Sequence, residues 1–414
     1  MTYKLTRCDL QDLDRKDPLA SFKNKFLLPD GILYMNGNSL GPLSRRAKER
    51  MSDAVEHEWG TQLIRGWNTA GWYDMPTRLG NKLSQLIGAA DGEVVVCDST
   101  SVNLFKAVSA ALSINPSRNK IISEVGNFPT DLYILDGIKQ FSNNNPTIRI
   151  KPRNNIIEAI DTETAVVVLT HVHYVSGEIF PMDLITRKAH EMGALIVWDL
   201  SHSVGAVRTD LNSAKADFAV GCGYKHLNGG PGAPAFLYAA KRHHQTMQQP
   251  LSGWFSHKKP FEFNDDYMPA DGISKMLTGT TGVLGASALE ASLDIMLEAR
   301  TTDRLAKVLN LTTIFQNLIT KQCSGLGLTL ASPENPADRG AHISYRHSNA
   351  YAIMQNLIKR GVIGDFRSPD YMRFGFSPLF MSFEDLLDAV EILREILTTK
   401  SYLSPEFQVL NAVT

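Results

Sequence analysis

The 414-residue sequence predicts an α/β protein, in which a large domain built on a mostly parallel sheet is followed by a small α+β domain. Three observations predict it. From about residue 92 to 239, short apolar runs alternate with helical patterns, the rhythm of βαβ units. Two of these runs stop abruptly at chemically reactive residues, ALIVW at Asp199 and DFAVGC at Gly223-Tyr224-Lys225. Beyond residue 325 the pattern changes to short strands and two amphipathic helices.

The chain is too long for a single core. It is expected to divide into an N-terminal segment (1–50) packing with the small domain, a large domain (51–283), and a linking helix with the small domain (284–414). With 43% hydrophobic residues, 21% charged residues and a net charge of −1, nothing in the composition argues for a surface that binds nucleic acid or an anionic membrane. MTYKLTRCDLQDLDRKD lacks the apolar core of a signal peptide, and no apolar run is long enough to span a bilayer. Cys8, Cys97, Cys222 and Cys323 are scattered without CxxC spacing, which predicts free thiols in a reducing compartment, the cytoplasm.

In chain order, residues 1–30 read as a helical lead-in closed by the turn Leu28-Pro29-Asp30-Gly31. Strand-like ILYM runs into NGNSLG, and Pro42 with Ser44 prepares a helix from Arg45 to about Ile64. In RGWNTAGWYDM (65–75), Trp67 and Trp72 serve either a pocket for a flat ligand or packing against a neighbouring domain. A helix over 77–88 leads to the strand EVVVC and then to Asp98-Ser99-Thr100-Ser101 before the helical VNLFKAVSAAL. A hydroxyl-rich turn at a helix N-terminus makes a phosphate cup, and equally an ordinary N-cap. Strand 120–124 is followed by a helix after Pro129, with Phe128 placed either to cover a planar cofactor or to staple that helix. Strand 165–169 ends in THVHYVSGE. Its His171 and His173 have no carboxylate or further histidine at metal-ligand spacing, so no metal is expected. Pro181 starts a helix that Gly193 stops, and strand 194–198 reaches Asp199.

GCGYKHLNGGPG carries a lysine where a dinucleotide loop needs small residues, and neither GxxxxGK[ST] nor GxSxG is present. A long helical run is expected from Leu284 past Arg300 towards Leu318. In the small domain LGLTLAS, AHISYR and YMRFGFS read as strands, 349–360 and 383–398 as helices, and the last dozen residues as loosely held. Arg373 is a cation in a strand otherwise fit for burial, suited to gripping a carboxylate or to a structural salt bridge.

Ligands of open α/β sheets collect at strand ends. A carboxylate at one strand end (Asp199) and a lysine at another (Lys225) form the pair that pyridoxal phosphate (PLP) requires, an anion for its pyridinium nitrogen and an amine for its aldehyde. With these residues in view, YMNGNSLGPL, DSTSVNLFK, NFPTDLY, VHYVSGE, WDLSHSVGAV, GYKHLNGGPG and RFGFSPLF together resemble kynureninases, within the aminotransferase class V group of fold type I PLP enzymes. The likeness runs from about Gly31 to Pro378. Tyr224 immediately before Lys225, with FPTD and GNSLG, is what points to kynureninases, since cysteine desulfurases typically carry His before that lysine.

The resemblance implies a PLP-dependent transferase-like large domain with a seven-stranded type of sheet. It implies hydrolysis of L-kynurenine to anthranilate and L-alanine in tryptophan catabolism. Lys225 then carries PLP as a Schiff base and acts as general base, Asp199 pairs with the pyridine N–H, and Tyr224 relays a proton. Thr100, Ser101, Asp131, Thr170, His202 and Tyr224 match cofactor contacts, and Phe128 matches the ring-stacking position. Trp254 and Thr280 match positions that the family supplies from a partner subunit, which implies a homodimer with shared active sites. Ser39 and Arg373 match substrate positions, with Arg373 on the α-carboxylate. Thr280, where animal members favouring 3-hydroxykynurenine carry Asn, tilts the preference towards plain kynurenine. The rival within the class, a cysteine desulfurase or selenocysteine lyase, needs a nucleophilic cysteine on a mobile loop. Only Cys323 lies late in the chain, without a basic-glycine loop around it.

Overall fold

The computed structural model describes residues 5–142 and 145–409. The described chain divides into two compact units. The larger comprises Ala47–Tyr174 and Phe180–Asp294; the smaller comprises the described parts of Met1–Arg46, Val175–Ile179 and Ile295–Thr414. Among the described residues no helix is long and apolar enough to cross a membrane.

A seven-stranded sheet forms the centre of the larger unit. Its strands are β1 (Val94–Val96), β2 (Lys120–Glu124), β3 (Thr147–Lys151), β4 (Thr164–Thr170), β5 (Leu195–Asp199), β6 (Phe218–Gly221) and β7 (Phe236–Ala239). They lie in the order β1-β7-β6-β5-β4-β2-β3, parallel throughout except at β7, which runs antiparallel to both neighbours. The mostly parallel sheet is the one the alternating pattern predicts. Its middle strands are apolar on both faces, and all seven residues of β4 are buried. The helix Thr100–Ile114 contributes Leu104, Ala107, Val108 and Ala111 to a core shared with Val95, Val166, Val197 and Phe218. Ser99 caps that helix by accepting from the Val102 amide, and Pro129 opens the helix Pro129–Phe141. Gly193, at φ 74°, stops the helix Met182–Glu191 and turns the chain into β5.

Local structure departs from the sequence expectation in four places. β3 is an additional edge strand; TIRIK alternates too briefly, and with too much exposure, to announce itself. The helix expected from Arg45 to Ile64 holds only over Arg45–Asp53, then widens into a π-helical turn (Ala54–Trp59) and ends in a 3-10 turn (Leu63–Arg65). The run from Leu284 to Leu318 is two helices, Val283–Glu298 and Thr301–Gln322, with extended backbone at Arg300 and Arg304 Nε donating back to the Ala299 carbonyl at 3.2 Å. Trp67 and Trp72 pack within their own unit rather than against a neighbouring domain: Trp72 is buried and donates to Glu58 at 2.9 Å, while Trp67 packs on Trp72 and Phe255.

The smaller unit carries a four-stranded antiparallel sheet, in the order Asp365–Arg367, Tyr371–Gly375, His342–Arg346 and Thr329–Leu330. The helix Phe383–Thr399 begins with a Ser382/Asp385 capping box, and Asp14 of the helix Arg7–Lys16 accepts from the Phe383 and Glu384 amides at 2.7 and 3.0 Å. Val175–Ile179 joins this unit through Gly340 N–H to Gly177 O (2.7 Å) and Ile179 N–H to Asp338 O (2.9 Å). Ser401–Leu403 and Pro405–Phe407 form 3-10 turns, and of the C-terminal dozen expected to be loosely held, residues 410–414 lie outside the described residues.

At the start of β6, buried Asp217 accepts from His190 Nε2 and His243 Nε2 at 2.8 Å each, from Arg242 at 2.6 Å and from the Ile196 amide at 2.9 Å. Burial alone pushes this carboxyl up. The two histidine hydrogen bonds and the Arg242 charge more than offset that and hold it well below the usual carboxylate range. A carboxyl depressed in the folded state stabilises above its unfolded pKa, and that stability is lost as pH falls through the folded value. Asp217→Asn is therefore expected to cost about 3 kcal/mol in denaturant unfolding at neutral pH, with the difference from the parent shrinking below about pH 4.

Candidate active site

The C-terminal ends of β4, β5 and β6 open into one cavity of about 520 Å³ in the larger unit. Sheet register places Thr170 directly beside Asp199, because the two end paired strands. After β6, the chain turns sharply at Gly223, where a Cβ would stand 2.4 Å from the Pro234 carbonyl. This close approach lets the loop fold back on itself, with Gly229 N–H bonded to Gly223 O at 3.0 Å, and presents Lys225 to the cavity.

Lys225 Nζ lies 3.0 Å from His202 Nε2, 5.6 Å from the centre of the Phe128 ring and 5.9 Å from that of Tyr224. Asp199 is buried and accepts from the Ser201 amide at 2.7 Å. Asp131 is also buried, and Thr170 Oγ1 donates to it at 3.3 Å and to Asn127. Burial pushes the Asp199 carboxyl up, against the Ser201 hydrogen bond and the Lys225 charge. Burial and then the neighbouring Asp199 charge push Asp131 well above the carboxylate range. The Tyr224 phenol is likewise raised, chiefly by burial. Ser99, Thr100 and Ser101 line the cavity at the N-terminus of the helix Thr100–Ile114.

This arrangement fits a planar, anionic, ring-nitrogen cofactor. An amine for an aldehyde, a buried carboxylate for a ring N–H, an aromatic face, and hydroxyls at a helix N-terminus for a phosphate all line one cavity. The two buried carboxylates and the one amine form a set that a cationic ring nitrogen would complete.

The cavity brings together Thr100, Ser101, Phe128, Asp131, Thr170, Asp199, His202, Tyr224, Lys225 and Thr280. Trp254 does not line it; this half-exposed side chain packs edge-on against Phe255 and Phe261. Thr280 lines the cavity of its own chain. Ser39 and Arg373 belong to the smaller unit, where Arg373 is buried, pairs with Asp365 and donates to Ser39 Oγ at 2.8 Å; Ser39 in turn donates to Asp365 at 3.0 Å. Arg367 also reaches Asp365, at 2.8 Å. His171 packs edge-on against Trp198 and contacts Ser203 Oγ at 3.0 Å, with burial pushing it down to about 4, while His173 bonds to the Gly126 carbonyl. Sequence reasoning did not single out Tyr174, which packs edge-on to Phe128 at 5.2 Å, nor Ser201, which fixes Asp199 through its amide. VHYVSGE and WDLSHS contain them, but nothing in their residue type sets them apart.

Three comparisons bear on this site. A family model described as "Kynureninase C-terminal domain" matches residues 305–393. The protein named "Kynureninase" from Pseudomonas fluorescens is 46% identical over 414 residues, covering 99% of this chain and 100% of the relative. Among solved structures, the apo cysteine desulfurase from Thermococcus onnurineus NA1 superposes with a TM-score of 0.75 at 16% identity, covering 96% of this chain and all of that one. A C-DES variant with glycine covalently linked to its PLP cofactor gives 0.76 at 13% identity, covering 94% and 99%. At such identities these structures establish a shared fold.

A buried carboxyl with a raised folded pKa loses stability as pH rises above its unfolded value. Asp131→Asn is therefore expected to raise the stability of the cofactor-free protein by about 1 kcal/mol at pH 7, an advantage that closes below about pH 4. Thermal unfolding across that pH range measures it; a variant less stable at neutral pH contradicts the electrostatic picture of the cavity.

Proposed function

The chain belongs to the kynureninase family, and from that membership we propose that it is a PLP-dependent hydrolase cleaving the Cβ–Cγ bond of L-kynurenine to give anthranilate and L-alanine. The observation that carries the proposal is the placement of Lys225 Nζ between His202 Nε2 and the Phe128 face, in the cavity that buried Asp199 also lines.

When bound, PLP supplies an electron sink for the carbanions formed at the substrate's Cα and Cβ. The chain's own residues do the rest. Asp199 would hold a proton on the ring nitrogen, and Phe128 would supply an aromatic face for the ring. Thr100 and Ser101, at a helix N-terminus, would receive the phosphate. Lys225 would hold the cofactor's aldehyde through its amine and, as a free amine, would serve as the general base for the α-proton, with His202 in hydrogen-bond reach of the same nitrogen. Water adds to the γ-carbonyl of the substrate, and the hydrate collapses with bond cleavage. Tyr224, a phenol held protonated by burial, is the donor or relay proposed for the later proton steps. Ser39 and Arg373 are proposed, on the motif resemblance, to bind the α-carboxylate; the guanidinium is pre-set by Asp365 and Ser39.

A homodimer is proposed as well. Exposed apolar side chains gather along residues 51–64, among them Val55, Trp59, Leu63 and Ile64, and along 254–268, with Trp254, Phe261 and Phe263. Patches of this kind favour burial in an assembly. The scattered cysteines support a cytoplasmic location. A desulfurase-type activity is disfavoured by Cys323, which is buried just past the helix Thr301–Gln322, with burial pushing its thiol up to about 11.

The test is addition of L-kynurenine to the PLP-loaded protein while anthranilate fluorescence is followed. Growth of that signal, and its loss by at least about 10³-fold in Lys225→Ala, is expected; surviving activity in the variant contradicts the mechanism. Arg373→Lys is expected to raise KM by about tenfold or more while PLP stays bound. Loss of PLP instead would make Arg373 a structural residue.

A further inference from the structure

On the helix that starts in the hydroxyl cup, Lys106 is wholly buried, with no exposed surface at all. A lysine in that state must be fully paired, or its charge would be prohibitively costly. Its ammonium donates to Asp98 Oδ2 at 2.6 Å and to the Met276 carbonyl, and lies 3.6 Å from Cys97 Sγ. Asp98 is the residue at which β1 enters the cup. It lines the cavity beside Ser99, Thr100 and Ser101, keeps part of its side chain exposed there, and holds a left-handed backbone conformation at φ 49°. Its carbonyl accepts from the amide of Ala235, another cavity residue, at 2.9 Å. Met276 ends the turn Gly272–Met276, shortly before the segment carrying Thr280 and Gly282, which also line the cavity.

A carboxylate on the wall of an anion cup is a liability, because two negative charges a few ångströms apart repel strongly where water is scarce. Lys106 reaches Asp98 from the protein side and leaves the cavity side to the hydroxyls and helix amides. We infer that Lys106 is a positioning residue for the phosphate end of the site, where its ammonium cancels the Asp98 charge and ties the cup to the Met276 turn so that the cup accepts a dianion. This rests on the reading above that Thr100 and Ser101 receive the PLP phosphate. Lys106 acts through Asp98 and does not itself line the cavity.

The experiment compares PLP with pyridoxal, which keeps the aldehyde and the ring but lacks the phosphate. Each is titrated by absorbance into the cofactor-free protein, in the parent, Lys106→Met, Asp98→Asn and the double variant. The parent is expected to prefer PLP strongly. Lys106→Met is expected to lose about tenfold or more of that preference, with pyridoxal affinity little changed, and Lys106→Met/Asp98→Asn to regain it. Asp98→Asn alone, in which Asn also tolerates the left-handed backbone, is expected to keep or increase the preference, and this arm stands even if Lys106→Met fails to fold. A parent that does not distinguish PLP from pyridoxal overturns the phosphate reading of the cup itself. A parent that does, together with a Lys106→Met protein that keeps the preference, a double variant that fails to regain it, or an Asp98→Asn protein that loses it, overturns the role of Lys106. Loss of affinity for both ligands alike would mark Lys106 as merely structural and would also overturn it.

Discussion

The larger unit depends on keeping an ionisable carboxylate, Asp199, inside the protein at the end of a central strand. Burial penalises its charged form, and the Asp199 charge in turn helps to raise a second buried carboxyl, Asp131. The sheet supports this cost with backbone: the Ser201 amide on Asp199, the register that sets Thr170 beside it, and the full burial of β4 alongside. Such an arrangement is poor for stability and good for holding a protonated ring nitrogen, the usual exchange at a functional site.

The other parts of the cavity follow from the same sheet. Parallel strands bring their C-terminal ends to one edge, so Thr170, Asp199 and the Lys225 turn meet without long connections. The helix Thr100–Ile114 aims its N-terminus at that edge, and Gly223 lets the lysine loop pass close to Pro234. The distance of 3.0 Å between Lys225 and His202 is thus set by the two loops that follow β5 and β6. The family relationship, at 46% identity over nearly the whole chain, gives this geometry its chemical meaning. The distant desulfurase-type structures share only the scaffold.

Much of the larger unit was legible in the sequence because buried parallel strands read as continuous apolar runs and their helices open with Ser or Pro. Asp199 and Lys225 stood out because each interrupts such a run with a charge. β3 was not legible, since an edge strand with Arg149 and Ile150 exposed carries no such run. The interruption at Arg300 was missed because helical periodicity continues across it, and only the extended backbone of Arg300 separates the two helices. Trp67 and Trp72 looked available in sequence and proved to be packing residues, since a Gly-rich context says nothing of tertiary neighbours. For Arg373 the sequence left a carboxylate grip and a salt bridge open; the Asp365 partner, eight residues upstream, emerges only from antiparallel pairing of the two strands. Lys106 could not be found by pattern at all, because a lysine on an apolar helix face reads as an exception until its partner is seen.

Reduction of the PLP-loaded protein with borohydride, followed by mass spectrometry of its peptides, tests the central claim most directly. A pyridoxyl group is expected on the peptide bearing Lys225 and on no other lysine, Lys106 included. Attachment at a different lysine, or a PLP-loaded protein that yields no modified Lys225, would contradict it.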